Sequence, residues 1–214
     1  MSGIRSLSTI AIALGVGVFS SATLAQSQHS KLAKLDQRVQ NIYKLAMKGI
    51  CEVLEPDSKL RPGIPEIYEF TFNYGDEDYP PRPFRLYQLP CTMGAYNFGS
   101  VFYSAIDYDE IRQIQFAEPV FDIVRESEEF DSAVTSINVT GFTAYGILTN
   151  PDFDPETKTI TSFSKWRGAG DASSSGTWVF DGGRFVLESY DVDASYNDGA
   201  NPIRIYGTGE AEPQ

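Results

Sequence analysis

Trp178-Val179-Phe180-Asp181-Gly182-Gly183-Arg184-Phe185-Val186-Leu187 decides the class of fold. Two runs of β-prone residues flank an Asp-Gly-Gly turn, where glycine supplies the positive φ angles that a tight antiparallel hairpin requires. Phe185 and Leu187 alternate with Val186 and Glu188, the period of a strand with one buried face. The same period opens at residues 67–74, where Tyr68, Phe70, Phe72 and Tyr74 share one face and Glu69, Thr71 and Asn73 the other. Further strands are predicted over residues 84–89, 98–106, 111–116, 137–148 and 159–166. Residues 75–83 read as an acidic, proline-rich connection and residues 150–156 as a turn. Residues 121–130 read as a short helix or an irregular charged loop, Ser173 to Ser175 as a flexible loop, and residues 207–214 as a frayed end.

One segment breaks the β pattern. Behind Ser30, a candidate cap, Leu32, Leu35, Val39, Ile42 and Ala46 recur at three- and four-residue steps until Gly49 supplies a stop. An amphipathic helix is therefore expected over residues 31–48, its apolar stripe covering a sheet. Its outer face carries Lys31, Lys34, Arg38, Lys44 and Lys48 against a lone Asp36. The predicted architecture is mainly β, an antiparallel sandwich or curled sheet, with this one N-terminal amphipathic helix packed against it.

The N-terminus reads as a secretory signal of 25 residues: Arg5, the apolar run from Ile10 to Phe19, then Thr23-Leu24-Ala25 as the cleavage site. The run is too short to span a bilayer, and no later segment approaches the length of a membrane span. Residues 26–214 are then expected as a single exported β-rich domain with no membrane span after signal removal. Loss of Arg5 takes the net charge from −12 to −13, a balance that disfavours nucleic acid as a partner. An exported chain meets an oxidising compartment, so Cys51 and Cys91 are predicted to pair.

A second long stretch, Lys165-Trp166-Arg167-Gly168-Ala169-Gly170-Asp171-Ala172-Ser173-Ser174-Ser175-Gly176-Thr177, runs straight into the hairpin. Together with Pro90-Cys91-Thr92-Met93-Gly94-Ala95-Tyr96-Asn97 it resembles the exported Gram-negative bacterial domain-of-unknown-function family 1176. The resemblance implies a periplasmic location and supplies no established activity. Members of that family usually carry a Cys where this chain has Ala172, and a second one after the final hairpin; both are absent here.

Catalysis by a Ser-His-Asp or Cys-His arrangement is disfavoured, because the only histidine is His29, next to the expected mature N-terminus. No cofactor or metal is expected: two thiolates fall short of a zinc site, and Asp191, Asp193 and Asp198 do not follow calcium-loop spacing. The candidate binding residues are Tyr96, Asn97, Trp166, Arg167, Asp171 and Ser175, where glycines allow close backbone approach and Trp with Arg suits recognition. The competing expectation for the same loop is a structural corner, with Arg167 and Asp171 paired and Trp178 in the core. The functional expectation is a non-catalytic periplasmic module that binds an envelope protein or a small ligand. The alternatives are a carboxylate-dependent hydrolase of envelope glycans and a lysozyme-type hydrolase inhibitor acting through an exposed Ser175-Gly176 loop.

Overall fold

The computed structural model describes residues 20–60, 64–74, 79–129, 131–197 and 199–211. Three layers stack: a helix, a first sheet whose central strands are buried on both faces, and a second sheet with one face open. The helix, α1, runs Ser20–Ala46. It is longer than expected and starts ten residues before Ser30, which is therefore an interior helical residue and not a cap. The apolar run expected to lead the chain into the membrane lies outside the described residues. At the other end the expectation holds within two residues, with Gly49 at φ +76° just past the last turn.

The first sheet consists of β1 (Glu66–Phe72), β2 (Arg82–Met93), β3 (Phe98–Ile106) and β4 (Glu110–Gln113) in that order, with a short strand, β7 (Ile147–Thr149), also paired to β3. Between β4 and β7 the chain makes a two-stranded ribbon, β5 (Phe116–Arg125) against β6 (Val134–Tyr145). Residues 121–125, expected as helix or loop, are thus the end of a strand. Pro119 and bulges after Val120 and Val124 interrupt its alternation, and so hide its period. The second sheet has the order β12-β11-β10-β9-β8, made of β8 (Asp152–Asp154), β9 (Thr159–Lys165), β10 (Ser173–Asp181), β11 (Arg184–Asp193) and β12 (Ile203–Tyr206). Every described strand pairing is antiparallel.

Three further elements differ from what the sequence predicts. Ser173 to Ser175 form the start of β10, held between β9 and β11, and Ser175 and Gly176 are strand residues with Gly176 buried. Part of the expected 150–156 turn is β8, and the bend itself follows it: the Asp154 carboxylate accepts from the Glu156 amide and the Thr157 hydroxyl, both at 2.8 Å. The single strand expected over 137–148 is broken between Tyr145 and Ile147 into β6 and β7.

The hairpin that announced the fold is closed by the Asp181–Arg184 pair, leaving Gly182 and Gly183 as the two central residues at φ +51° and +91°. Two positive φ angles in a two-residue loop match the twist of the flanking strands. One strand further in, Gly176 has a different reason to be glycine. A Cβ there would lie 2.3 Å from Cη2 of Trp178, whose ring is fully buried.

Two cores follow from the layering. Between the sheets, Phe84, Leu86, Phe102 and Ile106 of the first meet Ile160, Trp178, Phe185, Leu187 and Val192 of the second. Phe116 at the start of the ribbon joins them, edge-on to Trp178 at 5.4 Å between ring centres. Under the helix, Leu35, Val39, Tyr43 and Met47 meet Tyr87, Leu89, Val101, Tyr103 and Ala105 from the opposite face of β2 and β3. The helix is also fixed by polar contacts. Arg85 of β2 grips the Asp36 carboxylate through Nε and Nη2, both at 3.0 Å, and Tyr87 donates to the same carboxylate at 2.8 Å.

Cys51 and Cys91 form the predicted disulfide, tying the segment after α1 to β2 across a 40-residue separation. On the chain-entropy argument, closing a loop of this size stabilises the fold by roughly 4 kcal/mol. Cys51→Ser with Cys91→Ser should lower the unfolding free energy by up to about this amount. Urea titration of the double variant against the parent, both under oxidising conditions, measures it.

Candidate functional site

The six residues singled out in the sequence do not share one surface. Asn97 works as a backbone clamp: its amide nitrogen donates to the Lys165 carbonyl at 2.8 Å, and its oxygen accepts from the Lys165 amide at 3.2 Å. Asn150 completes the lock, donating to Asn97 Oδ1, to the Tyr96 carbonyl and to the Phe163 carbonyl while accepting from the Phe98 amide. The pair fastens the β2–β3 turn of one sheet to β9 of the other. Tyr96 lies half-exposed on the outside of this lock, its ring beside Gly168.

Trp166 and Arg167 open the turn between β9 and β10. The indole N–H of Trp166 donates to Ser174 Oγ at 3.3 Å, and its ring stacks near Phe121 of the ribbon. Arg167 forms an ion pair with Asp171, whose side chain is almost fully buried, and the guanidinium lies over the Tyr196 ring at 5.1 Å. Ser175 stands apart from all of these. It lines a shallow groove of about 340 Å³ on the open face of the second sheet, together with Thr161, Thr177, Ser189, Asp191 and Arg204. Asp191 there is held by Arg204, whose Nε and Nη2 reach its two oxygens.

The larger concavity lies at one end of the sandwich, where three connections converge: the described residues 73, 74 and 79–81 between β1 and β2, the 107–109 turn between β3 and β4, and the glycine hairpin of β10 and β11. Loops held at the end of a rigid β scaffold are where binding residues concentrate. Tyr74, Tyr79, Pro80, Pro81, Arg82 and Asp107 line a groove of about 620 Å³. Through Tyr74 and Arg82 it continues into a second of about 740 Å³ that reaches Arg112 and Arg184. Both volumes fall in the range of small-molecule sites.

The chemistry of this groove is specific. Arg82 donates to Asp107 Oδ2 from Nε at 2.9 Å and from Nη2 at 2.6 Å, and its guanidinium lies over the Tyr74 ring at 5.4 Å. The arginine is thereby set in one plane. Tyr74 is 56% exposed and Tyr79 64%, so both rings present faces to solvent next to it. The sequence had read this stretch only as an acidic loop. The signal available was two tyrosines, Tyr74 and Tyr79, leading into Pro80-Pro81-Arg82, residues that a purely solvated loop does not need.

Among the described residues no group of three or more His, Cys, Asp or Glu side chains is gathered in a metal-binding arrangement. Asp193, part of the acidic loop noted in the sequence, instead accepts from the Ser195 and Asn201 amides and organises the connection between β11 and β12.

The family described as "Protein of unknown function (DUF1176)" matches residues 83–197, more than half of the chain. The chain belongs to this family. No curated protein and no solved structure matches it. The DUF1176 segment runs from the start of β2 to just past β11, so it holds the two-sheet frame, the ribbon, the Asn97–Asn150 lock and the 166–171 turn. Helix α1, Cys51, β1 and β12 lie outside it. The end groove is therefore composite: Asp107, Arg112 and Arg184 stand within the DUF1176 segment, and Tyr74, Tyr79, Pro80, Pro81 and Arg82 precede it.

One half-buried acid, Glu118 of β5, stands apart from these cavities. Desolvation pushes the Glu118 carboxyl up from 4.5 to about 7, and Glu118 in turn contributes to the raised value of Tyr190, which burial pushes to about 12. A carboxyl whose folded value is raised costs nothing below its unfolded value and withdraws stability as pH climbs through the folded one. Glu118→Gln should thus leave the melting temperature unchanged near pH 4 and raise it above pH 7. Thermal melts of both proteins across that range test the sign.

Proposed function

We propose that the chain is an exported, periplasmic, non-catalytic binding module, and that its ligand seat is the groove at the end of the sandwich. The ligand is a saccharide of the cell envelope. The observation that carries this reading is the Tyr74–Arg82–Asp107 arrangement with Tyr79, Pro80 and Pro81 beside it. Exposed aromatic faces pair with the apolar faces of sugar rings, while a guanidinium held in one plane presents its remaining donors to hydroxyl pairs. Charge supports the same class of ligand. The groove's described lining sets Arg82, Arg112 and Arg184 against Asp107, Glu110 and Asp181, so it is locally balanced in a chain of net charge −12. The export signal read at residues 1–25 and the oxidised Cys51–Cys91 pair support the compartment.

The reading separates the groove from the 166–171 turn by experiment. Soluble glycan fragments from lysozyme-digested cell wall are titrated into the protein, with binding followed by calorimetry. Tyr74→Ala with Tyr79→Ala should weaken binding by about tenfold or more, roughly the worth of one or two lost aromatic contacts. Arg167→Ala should leave it unchanged. The opposite pattern would move the site to the turn that holds Arg167, and no binding by the parent protein would remove the saccharide reading.

A further inference from the structure

Helix α1 is an outer layer, and its outward face differs from a plain solvated one. Leu35, Val39, Tyr43 and Met47 turn to the first sheet. Roughly opposite them, Lys34, Arg38, Asn41, Leu45 and Lys48 recur at four- and three-residue steps, one stripe along the helix, and all are exposed. Lys31 and Lys44 are exposed beside it. The acid of the helix, Asp36, is taken up by Arg85 and Tyr87 of β2. Arg38 ties the stripe to the frame through Asp109. Among these cations the aliphatic Leu45 stands 80% exposed, with Ile42 before it and Ile50 after it also exposed.

We infer that this face of α1 docks on a lipid bilayer carrying anionic headgroups, the helix lying in the plane of the surface. Its cations are complementary to negative charge, and from Lys31 to Lys44 they spread over about 20 Å of helix, too far apart for one small anion. Their type favours lipid over an acidic protein. Lysine is a point charge on a flexible stem and suits mobile headgroups, whereas carboxylates fixed on a protein are matched by the planar fork of arginine. The bare aliphatic side chains favour it too: Leu45, Ile42 and Ile50 reach the acyl boundary while the lysines beside them extend to the phosphates. No described helix is long and apolar enough to cross a membrane, so the contact is one of surface only. The chain's net charge of −12 does not forbid this approach. The second sheet lies roughly two layer spacings, about 20 Å, behind the helix, well beyond the screening length of about 8 Å in physiological salt. Nearer acids follow the helix at Glu52, Glu55 and Asp57; Glu55 accepts from the Gly49 amide, and Lys59 adds a cation to the same segment.

Cosedimentation of the purified protein with vesicles tests the inference, using phosphatidylcholine alone and phosphatidylcholine mixed equally with phosphatidylglycerol. Binding is expected to the mixed vesicles only and to fall steeply as salt is raised, two readings that depend on no variant folding. Lys34→Gln with Lys44→Gln and Lys48→Gln should weaken it roughly tenfold or more. Leu45→Ser should weaken it about tenfold. Equal affinity for the two kinds of vesicle would overturn the inference, as would attachment unmoved by the lysine substitutions, the result expected if residues 1–25 made the contact. Vesicle binding indifferent to Leu45→Ser, with tighter binding to polyglutamate than to lipid, would also overturn it and would mark an acidic polypeptide as the partner. Melting temperatures of the variants, all altered at exposed positions, should match the parent.

Discussion

The central strands of the first sheet, β2 and β3, are covered on both faces, and most of the molecule follows from that. In β2, Phe84 and Leu86 point to the second sheet while Tyr87, Leu89 and Cys91 point to the helix. In β3, Phe102 and Ile106 take one side and Val101, Tyr103 and Ala105 the other. Neither strand can be turned over or slipped by one residue without carrying core side chains from one packed layer into another, so the register of both is over-determined. Polar groups caught in the same layer must find partners there. Arg85, only 13% exposed, answers Asp36 of the helix on one side and Glu69 of β1 on the other, which makes the helix-to-sheet contact a matter of charge as well as area. Removing either carboxylate would strand part of a buried guanidinium, the costly way to break a buried pair.

The second sheet is built for the opposite condition. One face supplies Trp178, Phe185, Leu187 and Val192 to the core. The other is a field of hydroxyls and an ion pair, with Thr161, Ser175, Thr177 and Ser189 around Asp191 and Arg204. Because this sheet is anchored through its inner face and through the Asn97–Asn150 lock, its hairpin at Gly182 and Gly183 is held rigidly beside the β1–β2 and β3–β4 connections. The groove beside it therefore draws its described lining from both sheets.

How much of this the amino-acid order disclosed varies with the residue types. Phe98–Ile106 and the Asp-Gly-Gly hairpin were legible to the residue, because glycines at a two-residue turn and unbroken apolar runs are strong local signals. The disulfide was legible from the number of cysteines and the export expected of the chain. Three kinds of element were not. β5 carries Pro119 and bulges that destroy its period, β10 begins with three serines that resemble a linker, and β8 and β12 are too short to show any period. Each is a strand because neighbouring strands complete its hydrogen bonding, a tertiary cause with no local trace. The candidate site divides likewise: polar residues clustered in the chain around Arg167 reach their partners within the frame, whereas the groove gathers residues from segments more than a hundred positions apart.

Charge is layered too. Lys31, Lys34 and Lys44 stand on α1 and Lys48 just past its end, while Arg38 and Asp36 of the helix are engaged in ion pairs, so the outermost layer is basic while the chain as a whole is strongly acidic. That layer lies outside the DUF1176 segment, and the acidic frame lies largely within it. The arrangement gives the molecule a field along the direction in which its layers stack, positive on the helix side. An approaching charged surface would therefore meet this protein in a preferred orientation, with the helix toward anions. Arg38 of this layer pairs with Asp109 in the β3–β4 turn, so the helix and the end groove meet at that turn.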